Sequence, residues 1–577
     1  MAESSRSGSA AESAHAAASG HRAACGTADA VSAPPAGSNG TGPDSAASRA
    51  STAPRSTPGT GPQPAPKPSS GVGSAPAPGR GWVLPLCVLV VGTFMSVLDT
   101  SIVNVAVPTI QLELSAAPDD VEWIVTGYTL ALGVVVPLTG WLGERIGKTT
   151  LYILSMVGFA AASALCGAAW NLDSLIVFRI LQAIPGGILP VVTMTILYQI
   201  VPPAKIGSAS GIYGLGVVVA PAVGPVLGGY LVEYVDWRLI FYINVPIGVV
   251  GTIAAIAIFP RIRPTTWPRF DLWGFLTIAY GLFALLLAFS EGQDWGWTGY
   301  RVLVLFISGV LSLAVFVVIE LEVDDPLIDL RVFASWPYTL SIVLLVVAIT
   351  GLFTTLFFIP QFLQVVQGLQ ALDAGLVLVP SAVVLVVMVP LSGRLYDRFG
   401  PRWPVVAGLL VMAYGSYLLA QLNTSTPRAD IELWTSIRNV GTGLALIAII
   451  TSGVSALRPA LTGSGSAMNN VMQRVASSVA VAVFSGLNMS ASAQLLVDRG
   501  GLYGLGPAAL PEVREATEQG VTGLLPIYQQ LRAGITTETY DNGFYIVALM
   551  CAGAAVLALF LRSGRTSPIT ERGHVEL

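Results

Sequence analysis

The chain has 577 residues, 53% of them hydrophobic and 11% charged, with a formal net charge of −4. Soluble domains average about 25% charged residues, so a large soluble core is excluded and a polytopic, all-α membrane protein is indicated. Continuous apolar runs of about 20 residues also argue against a β-barrel, whose strands are short and alternating.

Residues 1–80 are rich in Ala, Ser, Pro and Gly. They cannot bury enough apolar surface to offset chain entropy, so a disordered cytoplasmic tail is expected; no apolar h-region marks a secretory signal. Fourteen apolar spans follow, at 82–106, 121–141, 150–169, 173–199, 208–232, 239–259, 271–289, 301–321, 339–363, 373–392, 403–422, 434–456, 470–491 and 543–562. Residues 492–541 read as a long outer loop and 563–577 as a cytoplasmic tail.

Orientation follows the basic residues of short loops. With the N-terminus inside, the inner connections hold Arg145, Lys148, Lys205, Arg261, Arg263, Arg269, Arg331, Arg394, Arg398, Arg402 and Arg458. The outer loops and span mouths hold only Arg238, Arg301, Arg428 and Arg438. Both termini are therefore expected in the cytoplasm. Arginine supplies 26 of the 29 basic residues, which with abundant Ala and Gly fits the plasma membrane of a high-GC bacterium.

The three histidines, His15, His21 and His574, all lie in the tails, and the four cysteines form no CxxC. No histidine-ligated metal, thiolate metal site or Ser-His pair can be drawn within the spans, so neither an enzyme nor a metal centre is expected.

Two stretches repeat. "GWLGERIGKT" (140–149) follows the second span and "GRLYDRFGPR" (393–402) the tenth, with Glu144 matched by Asp397 and Arg145 by Arg398. Spans 1–6 (residues 81–260) and 9–14 (residues 333–562) then form two related halves, and residues 261–332 are a linker with two extra spans. Parallel six-span halves are a transporter architecture, with substrate bound between them. "GKT" at 147–149 is not a phosphate loop: position 142 is Leu where that motif needs Gly, and no strand precedes it. An ion gradient, with no cofactor, is the expected energy source.

In "SVLDTSIVNVAVPTI" (96–110), Ser96, Asp99, Thr100 and Asn104 share one helical stripe. A carboxylate at mid-membrane costs about 2.5–3.5 kcal/mol on insertion scales. The stripe reads as a proton-responsive acid or as a structural hydrogen bond between helices. In "RILQAIPGG" (179–187), Arg179, Gln182 and Gly186 share a face. A membrane-buried arginine needs a partner, and Asp99 is one candidate. In "GLGVVVAPAVGPVLGGYL" (214–231), Gly216, Ala220, Gly224 and Gly228 form a small-residue ridge, with Pro221 and Pro225 permitting a bend. Asp373 is either a second acidic site or a helix N-terminal charge. Gln361, Gln364 and Gln367 read as an outer vestibule, and Asn469, Asn470, Gln473 and Arg474 as an inner gate or a solvated helix end.

Together these stretches resemble the fourteen-span drug:proton antiporters of the major facilitator superfamily, the EmrB/QacA type, over about residues 82–562. The resemblance implies the major facilitator fold and proton-coupled export of amphipathic or cationic small molecules from the plasma membrane by alternating access. It makes Asp99, Arg179, Asn104 and Gln182 coupling or substrate residues. Gly140, Glu144, Arg145, Gly147, Lys148, Asp397 and Arg398 become gating loops, with Glu144 and Thr149 departing from the usual Asp and basic residue. Gly216, Gly224, Pro225, Gly228 and Gly229 fall in its antiporter helix. Expected partners are the lipid bilayer and a small molecule, with no nucleic acid, and a monomeric protein. A dedicated exporter of one metabolite, antibiotic or lipid on the same scaffold is the alternative, ahead of a symporter or a non-transporting sensor.

Overall fold

The computed structural model describes residues 81–259, 269–502 and 521–561, and every regular element among them is helical. In chain order the main helices are α1 (Val83–Glu113), α2 (Trp123–Val135), α3 (Leu138–Ile146), α4 (Lys148–Gly167), α5 (Leu172–Ile200), α6 (Ile206–Tyr234), α7 (Asn244–Ile258) and α8 (Leu272–Glu291). They continue with α9 (Tyr300–Glu322), α10 (Trp336–Gln361), α11 (Ala371–Phe399), α12 (Arg402–Leu419), α13 (Arg428–Ser455), α14 (Thr462–Leu502) and α15 (Val521–Ala558).

Twelve helical segments are long and apolar enough to cross a bilayer, and the pair α2–α3, bent by 58°, makes a thirteenth when taken as one span. The bend falls at Pro137, which has no backbone N–H to continue the helix. α14 is not among the twelve; its first half carries Asn469, Asn470, Gln473 and Arg474. The expected fourteen is compatible with this count. The segment 492–541 departs from the expected loop, because helix continues to Leu502 and resumes at Val521. No proline interrupts α14. Arg261, Arg263 and the two tails lie outside the described residues.

Helices distant in sequence pack in a pattern that repeats. α1 contacts α5, α6 and α7, while α4 packs on α5 and α7, and α2 on α5. Eight spans later, α10 contacts α13, α14 and α15, while α12 packs on α13 and α15, and α11 on α13. The repeat extends to backbone detail. Gly147 and Gly400 each end a helix with positive φ, 89° and 77°, where a side chain would be strained. Short 3₁₀ turns, Pro203–Lys205 and Pro459–Leu461, lead into α6 and α14. α8 and α9 pack on each other, and α8 also touches α2 and α14.

The two bundles meet mainly along α6 and α11, and also through α5 and α14. Glycine makes the first contact possible. A Cβ on Gly211 would stand 3.1 Å from Pro390 Cα, and one on Gly207 or Gly393 would meet backbone of the opposite helix. This closeness lies at the ends of α6 and α11 near Lys205 and Arg394.

Candidate functional site

α5 begins at a capping box in which Asn171 Oδ1 accepts from Ser174 N at 2.8 Å and the Ser174 side chain answers the cap backbone. Two turns on, Arg179 points into the bundle and is 1% exposed. Its Nη1 donates to Asp99 Oδ2 at 2.5 Å and to Gln182 Oε1 at 2.7 Å. Gln182 Nε2 donates to Asp99 Oδ1 at 2.9 Å and to Ser163 Oγ at 2.6 Å. Asn244 Nδ2, on α7, supplies a third donor to the carboxylate at 3.1 Å. Asp99 and Gln182 are fully buried. Three helices, α1, α5 and α7, therefore converge on one carboxylate, and α4 holds Gln182 through Ser163.

The guanidinium is held from its other faces as well. Its Nε donates to Ile124 O at 3.4 Å, and its Cζ lies 3.8 Å from the centre of the Tyr128 ring. A cation over an aromatic face gains further stabilisation when desolvated. Arg179 thus ties α2 to α1 through the ion pair. A buried pair of this kind roughly breaks even while intact, but removing one partner costs about 3–5 kcal/mol. A proton on Asp99 would remove the negative charge that Arg179 pairs with, so protonation would weaken the pair.

The polar stripe of α1 divides. Ser96 Oγ donates to Gly186 O at 2.9 Å, which pins α1 to α5, and Thr100 bonds back to its own helix. Asn104 is exposed and stands apart from the cluster. Asp373 is exposed in the first turn of α11, not beside Asp99. Gln361 accepts from Tyr540 and Gln367 donates to Thr426 O, so only Gln364 of that trio is exposed. Asn469 is 3% exposed, which removes the solvated-end reading for it. Sequence reasoning missed Asn244, Ser163 and Tyr128 as site residues. Asn244 did carry a signal, a lone amide inside the apolar run "IFYINVPIG".

The small-residue ridge of α6 lies on α1 next to the acid. A Cβ on Gly228 would stand 2.8 Å from Ile102 Cγ1, and one on Gly224 would collide with Ser101. Gly216 abuts Val90. Gly229 has nothing within 4 Å and Pro225 is exposed, so neither belongs to this contact.

The two repeated loops differ. Asp397 accepts from Gly207 N and Ser208 N, each at 2.8 Å, and from Ser208 Oγ. It caps the first turn of α6, where backbone N–H groups are otherwise unpaired and the helix dipole favours a negative charge. This joins the two bundles. Glu144 is exposed, and its charged neighbours are Lys148 and Asp325. The matching residue of α14, Ser464, instead accepts from Asp329 N of the linker at 3.2 Å. Arg145 lies over the Trp141 ring and Arg398 over that of Phe399. Gly140 stands against Leu327 O. Arg438, expected at an outer span mouth, is fully buried instead.

Residues 89–481 match the Major Facilitator Superfamily. The chain belongs to that superfamily. It is 32% identical over 509 residues to the tetracenomycin C resistance and export protein of Streptomyces glaucescens, covering 85% of this chain and 94% of that protein. It is 31% identical to the multidrug export protein EmrB of Escherichia coli strain K12, covering 71% and 80% of the two chains. The human organic anion transporter MFSD10 shares the fold with a TM-score of 0.56 at 11% identity, over 82% of this chain and all of that one. The family is one of transporters, this chain is a multi-pass membrane protein of bacterial type, and its relatives are of the EmrB drug-export kind.

Proposed function

We propose that this chain exports amphipathic small molecules across the plasma membrane in exchange for protons, with no cofactor. The observation that carries this is the buried Asp99 carboxylate, held at once by Arg179, Gln182 and Asn244. In the outward state a proton on Asp99 breaks the pair with Arg179 and loosens α1 from α5 and α7. Cargo leaves from between the halves, residues 81–260 and 333–562. In the inward state Asp99 loses the proton, the pair reforms and cargo binds again. Only a difference in affinity between two states can drive such exchange, and a membrane potential contributes about 2.3 kcal/mol per charge per 100 mV. Closure of the inner ends uses Asp397 on α6. Both termini face the cytoplasm, and one chain suffices.

The test is reconstitution into vesicles with an imposed pH gradient, comparing the unmodified protein with Asp99→Asn. Substrate-evoked proton release is expected from the first and not the second. Release that survives Asp99→Asn would sink the assigned role, and uptake in the direction of the proton would sink antiport. The tetracenomycin exporter, similar over 85% of this chain, supports a second reading, export of a single antibiotic. A panel of dyes and antibiotics separates the two by breadth.

A further inference from the structure

The repeat places a second buried arginine, Arg438, where the first half has Gln182. α12 and α13 pack as α4 and α5 do. Counting from the positive-φ glycines, Ser163 follows Gly147 by as many residues as Ser416 follows Gly400. Ser163 accepts from Gln182 beside Arg179, and Ser416 accepts from Arg438 Nε at 3.2 Å.

What differs is the partner. Where α1 offers Asp99, α10 offers Gly351: a Cβ there would stand 3.1 Å from Arg438 Nη2. Where α5 offers Arg179, three residues before Gln182, α13 offers Thr435, three residues before Arg438. Arg438 is fully buried, and neither Nη1 nor Nη2 has an acceptor among the described residues. Its one ionisable neighbour there is the thiol of Cys551. An arginine cannot shed its proton to escape this position, and an uncompensated charge in a dry interior is among the most costly arrangements a fold can hold.

We propose that Arg438 is the floor of an anion site in the second half, in which a monovalent anion takes the place that Asp99 fills in the first. Two forked N–H donors suit a carboxylate, a phenolate or a halide. The site is closed in this conformation and opens when α10 and α12 move relative to α13. The anion is either free in solution or the charged group of the cargo. The proposal does not rest on proton coupling.

Purified protein in nanodiscs is titrated with chloride against gluconate, and separately with benzoate against neutral benzamide, reading the thermal unfolding midpoint. A saturable rise is expected with chloride, with benzoate or with both, and none with benzamide. Arg438→Gln is expected to lower the apparent affinity at least tenfold. Gly351→Asp supplies an internal carboxylate while keeping the arginine; the atom most crowded by its Cβ is the flexible end of Met412. It is expected to abolish the anion response with the fold retained, so that loss in Arg438→Gln is not mistaken for misfolding. A chloride response alone identifies a free anion, and a benzoate response alone identifies the cargo's own group. Equal responses in the unmodified protein and Gly351→Asp, or no response to either anion, would overturn the proposal.

Discussion

The two halves share a helix-packing pattern and divide its chemistry. In the first, Arg179 lies over the Tyr128 ring and donates to Asp99, Gln182 and Ile124 O. In the second, Arg438 stands where the first half has Gln182 and faces Gly351, with two nitrogens unpaired among the described residues. The repeated loops reverse the order: Asp397 of the second half is engaged by three donors on α6, and Glu144 of the first is exposed. A repeated scaffold thus leaves one half to hold a buried ion pair and the other to join the ends of α6 and α11. Duplicated backbone geometry constrains glycines and helix ends, but it does not constrain which side chains carry charge.

Four experiments break or sharpen that contrast. The largest effect is expected from the arginines. Arg179→Gln strands Asp99 and should destabilise the fold by about 3–5 kcal/mol, whereas Arg438→Gln removes an uncompensated charge and should leave stability level or higher. Thermal unfolding in detergent compares them, and equal losses would erase the asymmetry.

Next comes the clasp. Hydrogen bonds to a charged acceptor contribute about 1.5–3 kcal/mol each, so Asp397→Ala should shift the population toward separated inner ends by tenfold or more. Spin-label distances between the starts of α6 and α14 read this, and Glu144→Gln should leave them unchanged. A third contrast lies within α6. Gly228→Ala forces Cβ against Ile102 and should cost about 1–3 kcal/mol through overpacking, while Gly229→Ala, with open space around it, should be neutral in the same unfolding assay. The smallest effect is expected from Asn244→Ala, which removes one of three donors to Asp99. It should cost about 1 kcal/mol and slow exchange in vesicles several-fold without abolishing it.

Much of the fold was legible because membrane insertion is decided locally. Each span declares itself through its own apolar run, and the repeat through two short glycine-flanked stretches. The bend at Pro137 was less visible, since a proline inside an apolar run leaves hydropathy unchanged. The helix to Leu502 was hidden because polar Ser, Asn and Gln read as loop while still permitting helix. At the site, Asp99, Arg179 and Gln182 stood out as polar groups in apolar surroundings. Asn104 and Asp373 carried the same signal, yet they lie elsewhere, because helical spacing defines a face without saying what that face meets. Arg438 was misplaced for the same reason, having been read from its distance to a span end.

The sequence by itself determined that this chain is a bundle of membrane helices built from two related halves, and that it keeps an acid and an arginine where each is costly alone. Only the tertiary structure decided that the two meet, that Asn244 joins them, that Asp397 rather than Glu144 is clasped, and that Arg438 has no carboxylate opposite it among the described residues. Apolar runs act through the sum of their own residues, whereas Asp99 and Arg179 lie 80 positions apart and Asp99 and Asn244 lie 145 apart. Pairing across such separations depends on how helices rotate and pack against one another, a property that no single helix carries.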